Sequence, residues 1–205
     1  MFFETTACVT YAFHATYRFA GVPGVLKSVG NEIVSEFLGF CKREKISLCI
    51  TETVREEGLS KLPEIVNRYF DRARIRSPTV RESVFIKLRT RYTQLAALSK
   101  FDIVESDLAK VSALYTSFLK NPELRARLIK LKEKKPTRKG LLPSQTDIQI
   151  LGEAVTLNLK NRVCFVTDDD DYIFFKNEIK QNLGVDIIEL LELRSFAQTL
   201  ISRHK

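Results

Sequence analysis

Arg162-Val163-Cys164-Phe165-Val166-Thr167-Asp168-Asp169-Asp170-Asp171-Tyr172 runs from an apolar stretch straight into four adjacent carboxylates. Val163 to Val166, short and bounded by polar residues, reads as a buried strand. Neighbouring carboxylates repel one another unless cations or solvent screen them, and a divalent metal relieves that repulsion. Residues two apart project to the same side of an extended turn, so Asp169 with Asp171 is one pair and Asp168 with Asp170 the other. The same residues also suit a solvated turn in which Thr167 caps the next helix and Asp170 completes a capping box.

Downstream, Tyr172 to Leu183 reads as a helix stopped by Gly184, Val185 to Glu189 as a further strand, and Leu191 to Ile201 as a closing helix. Upstream, Ile46 to Ile50 is another apolar run of strand length between Lys45 and Thr51. Helical period marks Val54, Leu62, Ile65, Val66 and Tyr69, and again Ile148, Leu151, Ala154, Val155 and Leu159. Strands separated by helices imply parallel pairing and an α/β sheet.

Residues 75–135 have another character, because Val84 to Leu98, Val104 to Leu119 and Glu123 to Leu131 carry helical period with no strand between them. The clearest stripe is Val104, Leu108, Val111, Tyr115, Phe118 and Leu119. This span is expected to be a helical insertion within one domain covering residues 1–205, packed outside the sheet and presenting a cationic face. Lys132 to Gly140, KEKKPTRKG, reads as a mobile linker because it is highly charged and carries a proline and a glycine.

A chain of 205 residues buries a sizeable core. Its 33 Lys and Arg against 25 Asp and Glu give a formal charge of +8, which favours polyanions, nucleic acid above all. From Arg68 to Arg91 eight basic residues face two acids, and from Lys120 to Lys139 nine face two, which suits a surface that tracks phosphates; solvated helix faces account for the same pattern. Cys8, Cys41, Cys49 and Cys164 lack the paired spacing of zinc sites and read as small buried hydrophobes, which points to a reducing cytoplasm. Neither a spanning run of roughly 20 apolar residues nor a secretory leader is evident, so no membrane partner is expected. His14 and His204 read as surface or structural residues, since no Ser or Cys nucleophile accompanies them.

In a parallel sheet the loops after the strands converge, so acids placed there can gather. Ser144 suits the cap position and Asp147 the first turn of the helix that leads into the CFVT strand; capping explains Asp147, and the sequence leaves its distance from the sheet edge open. With Val54 facing the core, a step of about 100° per residue turns Glu57 inward and Glu56 to solvent or to a capping box with Thr53. Glu4 is placed at the tip of a very short first strand, before Thr5 and Thr6.

Together these stretches resemble the PIN domain family of metal-dependent nucleases. Thr167-Asp168-Asp169-Asp170-Asp171-Tyr172 is similar to the family's T-x-D-x-D-F turn, with Tyr172 in the aromatic place; the following helix, Gly184 and VDIIEL are similar to the family's ending. SQTDIQILGEA (residues 144–154) resembles the stretch that supplies an acid at Asp147, and ITETVREEG (residues 50–58) the stretch that supplies a glutamate, Glu57 with Glu56 as the alternative. Glu4-Thr5 stands where the family carries Asp followed by Thr or Ser, a departure that either keeps or weakens the site. The likeness covers residues 1–70 and 140–195, and the helical middle has no counterpart in compact members.

The resemblance implies a three-layer α/β/α fold around a central parallel sheet. It also implies a catalytic and metal site of Glu4, Glu57, Asp147, Asp169 and Asp171 holding Mg²⁺ or Mn²⁺, and endoribonuclease activity on single-stranded or structured RNA. Toxins of toxin–antitoxin pairs are among similar proteins, so an acidic protein partner such as an antitoxin, or a homodimer, accompanies this expectation. The competing expectation is a PIN-like RNA-binding or scaffold module with weakened catalysis, for which Glu4 is the reason.

Overall fold

The computed structural model describes residues 1–9, 29–72, 76–98, 106–135 and 138–203. His14, His204, Val104 and the centre of the KEKKPTRKG stretch at 136–137 lie outside them. The fold is mixed α/β, with a three-stranded parallel sheet in the order β1 (Phe2–Phe3), β2 (Cys164–Thr167), β3 (Asp186–Glu189). β2 is buried along its whole length, as its uninterrupted apolar sequence requires of a central parallel strand. Phe2 pairs with Phe165 and Phe3 with Val166, while Cys164 to Thr167 align with Asp186 to Glu189.

Ile46 to Ile50 is not a full strand. Cys49 bridges to Phe2, with Phe3 N donating to Cys49 O at 3.0 Å and Cys49 N donating to Met1 O at 2.7 Å. The physical reason is the length of β1: the chain turns helical at residue 5 (α1, residues 5–9 as described), so a neighbour finds little backbone to pair with.

The helices that follow are α2 (Val29–Arg43), α3 (Glu52–Arg72), α4 (Pro78–Leu98), α5 (Leu108–Phe118), α6 (Pro122–Lys134) and α7 (Gln145–Asn158). α3 packs against α4 and α7, and α5 against α7. The described part of 75–135 is helical with no strand, as its period indicates. α4 buries Val84, Leu88, Tyr92 and Leu95, one stripe along the helix, and leaves Lys87 and Arg89 exposed. Its close approach to α3 depends on Gly58: a Cβ there would overlap the Tyr92 ring, whose hydroxyl donates to Val54 O at 2.6 Å.

Asn121 caps α6 by accepting from Glu123 N and Leu124 N, with Pro122 at the first helical position. Leu159, expected inside the stripe of α7, instead follows its last residue and is exposed. The helix expected over Tyr172 to Leu183 is split into α8 (Asp170–Ile173) and α9 (Lys176–Leu183). The break buries Phe175, which stacks on Phe118 at 4.8 Å and meets Tyr115 edge-on at 5.9 Å. Burying a Phe contributes about 1.5–3 kcal/mol, more than the helical turn forgone. Gly184 ends α9 at φ 74°, a left-handed cap that glycine adopts without strain. A 3₁₀ turn at Leu190–Glu192 then leads into α10 (Leu193–Arg203), which packs on α2.

Cys8, Cys41 and Cys164 are buried and Cys49 half-buried, and none forms a disulfide. Among the described residues no helix is long and apolar enough to cross a membrane.

Candidate metal centre

Parallel pairing puts the ends of β1 and β2 side by side, so Glu4 and the aspartates after Thr167 meet at one edge. Glu4 N donates to Val166 O at 3.1 Å, which extends the β1–β2 register by one residue. The Glu4 carboxylate is buried and its Oε2 accepts from Thr6 N (2.9 Å), Thr6 Oγ1 (2.6 Å) and Thr167 Oγ1 (3.0 Å). Both threonines also fix the aspartate turn: Thr6 Oγ1 accepts from Asp168 N at 2.9 Å and Thr167 Oγ1 from Asp169 N at 3.0 Å.

Within that turn Asp169, not Thr167, caps α8, its Oδ1 accepting from Asp171 N at 2.8 Å. Asp171 is buried, whereas Asp168 is exposed and Asp170 faces Lys134 at 3.6 Å, so Asp169 with Asp171 is the pair that turns inward. Aromatic residues position the backbone beneath. Phe2, Phe165 and Tyr172 form a packed row with centroid separations of 5.1 and 4.9 Å. Tyr172 Oη donates to Asp147 O at 3.1 Å and Tyr115 Oη to Asp171 O at 2.8 Å.

α3 contributes Glu57, buried as the helical step requires, while Glu56 is exposed. Glu57 accepts from Thr5 Oγ1 and from Lys61. α7 contributes Asp147 from a complete capping box with Ser144, whose N and Oγ donate to Asp147 Oδ2 at 2.9 and 2.7 Å. Capping and placement in the pocket therefore coexist: Asp147, Asp169 and Asp171 line one cavity of about 860 Å³ with Lys61, Lys135, Arg138 and Lys139.

Burial pushes the Glu4 carboxyl up to about 7, opposed by its Thr6 hydrogen bonds and reinforced by Asp169 and Glu57. Asp147 is raised too, first by burial and then by the nearby Asp169 and Asp171 charges. Asp169 thus bears on both Glu4 and Asp147.

KEKKPTRKG is not a free linker in its described residues. Lys132 to Lys134 complete α6, Lys135 Nζ bridges Asp169 Oδ1 (2.5 Å) and Asp171 Oδ2 (2.9 Å), and Arg138 is buried in an ion pair with Asp171. Arg138 also donates to the Leu141 and Leu142 carbonyls at 2.5 and 3.2 Å. The aspartates compel this arrangement, since buried carboxylates need charged partners.

All five acids offer carboxylate oxygens, the donors hard divalent cations take, and Lys61, Lys135 and Arg138 already pair with Glu57, Asp169 and Asp171. Carboxylate oxygen is the donor type that Mg²⁺ or Mn²⁺ takes. Among the described residues no three His, Cys, Asp or Glu side chains are grouped as metal ligands, and Lys135, Arg138 and the Thr167 hydroxyl contact the carboxylate oxygens of Asp169, Asp171 and Glu4.

Glu153, buried on α7, was missed by sequence reasoning. It accepts from Thr53 and from Gln149 Nε2 at 3.3 Å, and its Oε2 has no partner. Its signal was an acid amid Leu151, Ala154 and Val155 on an apolar helix. No protein-family description, curated protein or solved structure matches the chain.

Proposed function

We propose that this chain is a PIN-like, three-layer α/β/α nuclease that hydrolyses phosphodiester bonds of RNA in a reducing cytoplasm. The observation that supports the reading best is the meeting of Glu4 with the Asp169–Asp171 turn at the ends of parallel strands, through the Thr167 hydroxyl, beside a cavity lined by Asp147, Asp169 and Asp171. Glu4, Glu57, Asp147, Asp169 and Asp171 are the residues to hold Mg²⁺ or Mn²⁺. Such an ion, when bound, lowers the pKa of a water and screens the charge that develops on the phosphate.

The chain's own residues orient and hold. Thr6 and Thr167 fix the Glu4 carboxylate, Tyr172 and Tyr115 fix the backbone of Asp147 and Asp171, and Ser144 fixes the Asp147 carboxylate. Exposed Lys139 at the cavity, with exposed Lys120, Arg125, Lys130 and Lys132 on or just before α6, supplies cations for an RNA backbone.

Incubating the full chain with labelled single-stranded RNA and Mg²⁺ or Mn²⁺ tests this. Cleavage is expected from the wild type and its loss from Asp169→Asn, with RNA binding retained. Absence of cleavage by the wild type on varied RNAs, or equal cleavage by Asp169→Asn, counts against it. A second reading, a scaffold or RNA-binding module with weakened catalysis, is favoured by the ion pairs of Lys135 and Arg138 across the aspartates. RNA binding without metal-dependent cleavage distinguishes it.

A further inference from the structure

Two cations reach the aspartate pair, and they are held differently. The Arg138 side chain is only 7% exposed and has three partners: Asp171 and the Leu141 and Leu142 carbonyls. Removing it would leave two carbonyls and the Oδ1 of Asp171 short of a partner, so it belongs to the packing of the loop. Lys135 retains 33% side-chain exposure, and its ammonium donates to Asp169 Oδ1 and Asp171 Oδ2. A lysine ammonium is a compact, strongly hydrated point charge on a flexible stem, readily returned to water.

We infer that Lys135 is a built-in counter-ion that competes with a divalent cation for Asp169 and Asp171, so that filling the site requires its ammonium to withdraw. The inference rests on the metal reading proposed above and adds a regulation to it. Lys135 Nζ, at 2.5 and 2.9 Å from one oxygen of each aspartate, lies where a cation shared by the two would sit. An ammonium and a divalent ion cannot occupy that space together, on grounds of both volume and like charge. Each therefore weakens the other, and the affinity measured for metal is the intrinsic affinity reduced by the fraction of molecules in which Lys135 holds the pair.

Withdrawal carries the ammonium outward along the cavity wall shared with Lys61 and Lys139. There it adds a positive charge facing a substrate phosphate. The rim, which already carries Lys61 and Lys139, thus gains this further positive charge only once its floor has taken the metal.

Calorimetric titration of the full chain with Mn²⁺ alone tests the competition without reference to activity. Lys135→Met, which keeps the apolar stem and removes the charge, is expected to bind Mn²⁺ about tenfold more tightly than the wild type. Lys135→Arg should bind it no more tightly than the wild type, and Asp169→Asn should abolish binding in either background. Lys135→Gln serves as a second neutral variant, with thermal melts checking that each protein is folded. Binding that depends on Asp169 but lies within about twofold in the wild type and both neutral variants overturns the competition and leaves the metal reading standing. Absence of saturable Mn²⁺ binding in every form, or binding unaffected by Asp169→Asn, overturns both together.

Discussion

Thr167 Oγ1 donates to Glu4 Oε2 at 3.0 Å while accepting from Asp169 N, so one hydroxyl ties the end of β1 to the aspartate turn. Thr167→Val keeps the shape and deletes both bonds, leaving a buried carboxylate and an amide short of a partner. Loss of about 1–3 kcal/mol is expected in urea denaturation, with Thr167→Ser recovering most of it. A Val variant as stable as the wild type would show that the bond contributes nothing.

Glu4 carries a pH signature. Folded, it keeps its proton up to about 7, whereas the unfolded glutamate releases it near 4.5, so the folded state binds more protons across that interval. Stability in metal-free buffer is therefore expected to decline as pH rises from about 4.5 through 7, by roughly 3 kcal/mol from this group. Glu4→Gln should remove that decline in denaturation series with chelator present. Equal slopes for wild type and variant would contradict the burial of a charge-averse carboxyl.

Gly58→Ala drives a methyl into the Tyr92 ring and breaks its bond to Val54 O. A cost of about 2–4 kcal/mol is expected, and thermal melting measures it. Because Glu57 adjoins this contact, Mn²⁺ affinity of the variant should fall as well. An unchanged melting temperature would mean that α3 and α4 are less closely packed than described.

RNA affinity should fall steeply with salt. For a single strand each phosphate contact contributes about 0.7 to the log–log slope, so neutralising exposed Arg125, Lys130 and Lys132 together should flatten it by roughly 2. Fluorescence anisotropy with a labelled oligonucleotide reads both quantities. An unchanged slope would place RNA away from α6.

Local pattern carried some features of the fold and not others. β2 and β3 were legible as short apolar runs between polar residues, and the stripes of α5 and α7 as helical period, because those signals belong to neighbours in sequence. β1 is two residues long, too short to carry a period, and Ile46 to Ile50 looked like a strand because apolarity alone does not reveal whether a partner is available. In the site, the helical step distinguished inward Glu57 from exposed Glu56. Lys135 and Arg138 were illegible, since charge beside Pro and Gly reads as solvated chain, and their aspartates lie more than thirty residues away, at separations of 34 and 33. The hydroxyls of Thr5, Thr6 and Thr167 were hidden likewise: a threonine's partner is decided by tertiary pairing.

The pairing of β1 with β2 has a consequence for the order of assembly. Glu4 and Thr167 are 163 residues apart, and closing a loop of that length costs roughly 4–5 kcal/mol in chain entropy. The helices between them form from nearby residues and need no such closure, so they are expected to gather first and the sheet edge last. The carboxylates consequently come together at the end of folding and separate at the start of unfolding. A chain cut between α7 and β2 retains its cationic helices, able to cling to polyanions, but not the paired acids that would act on them.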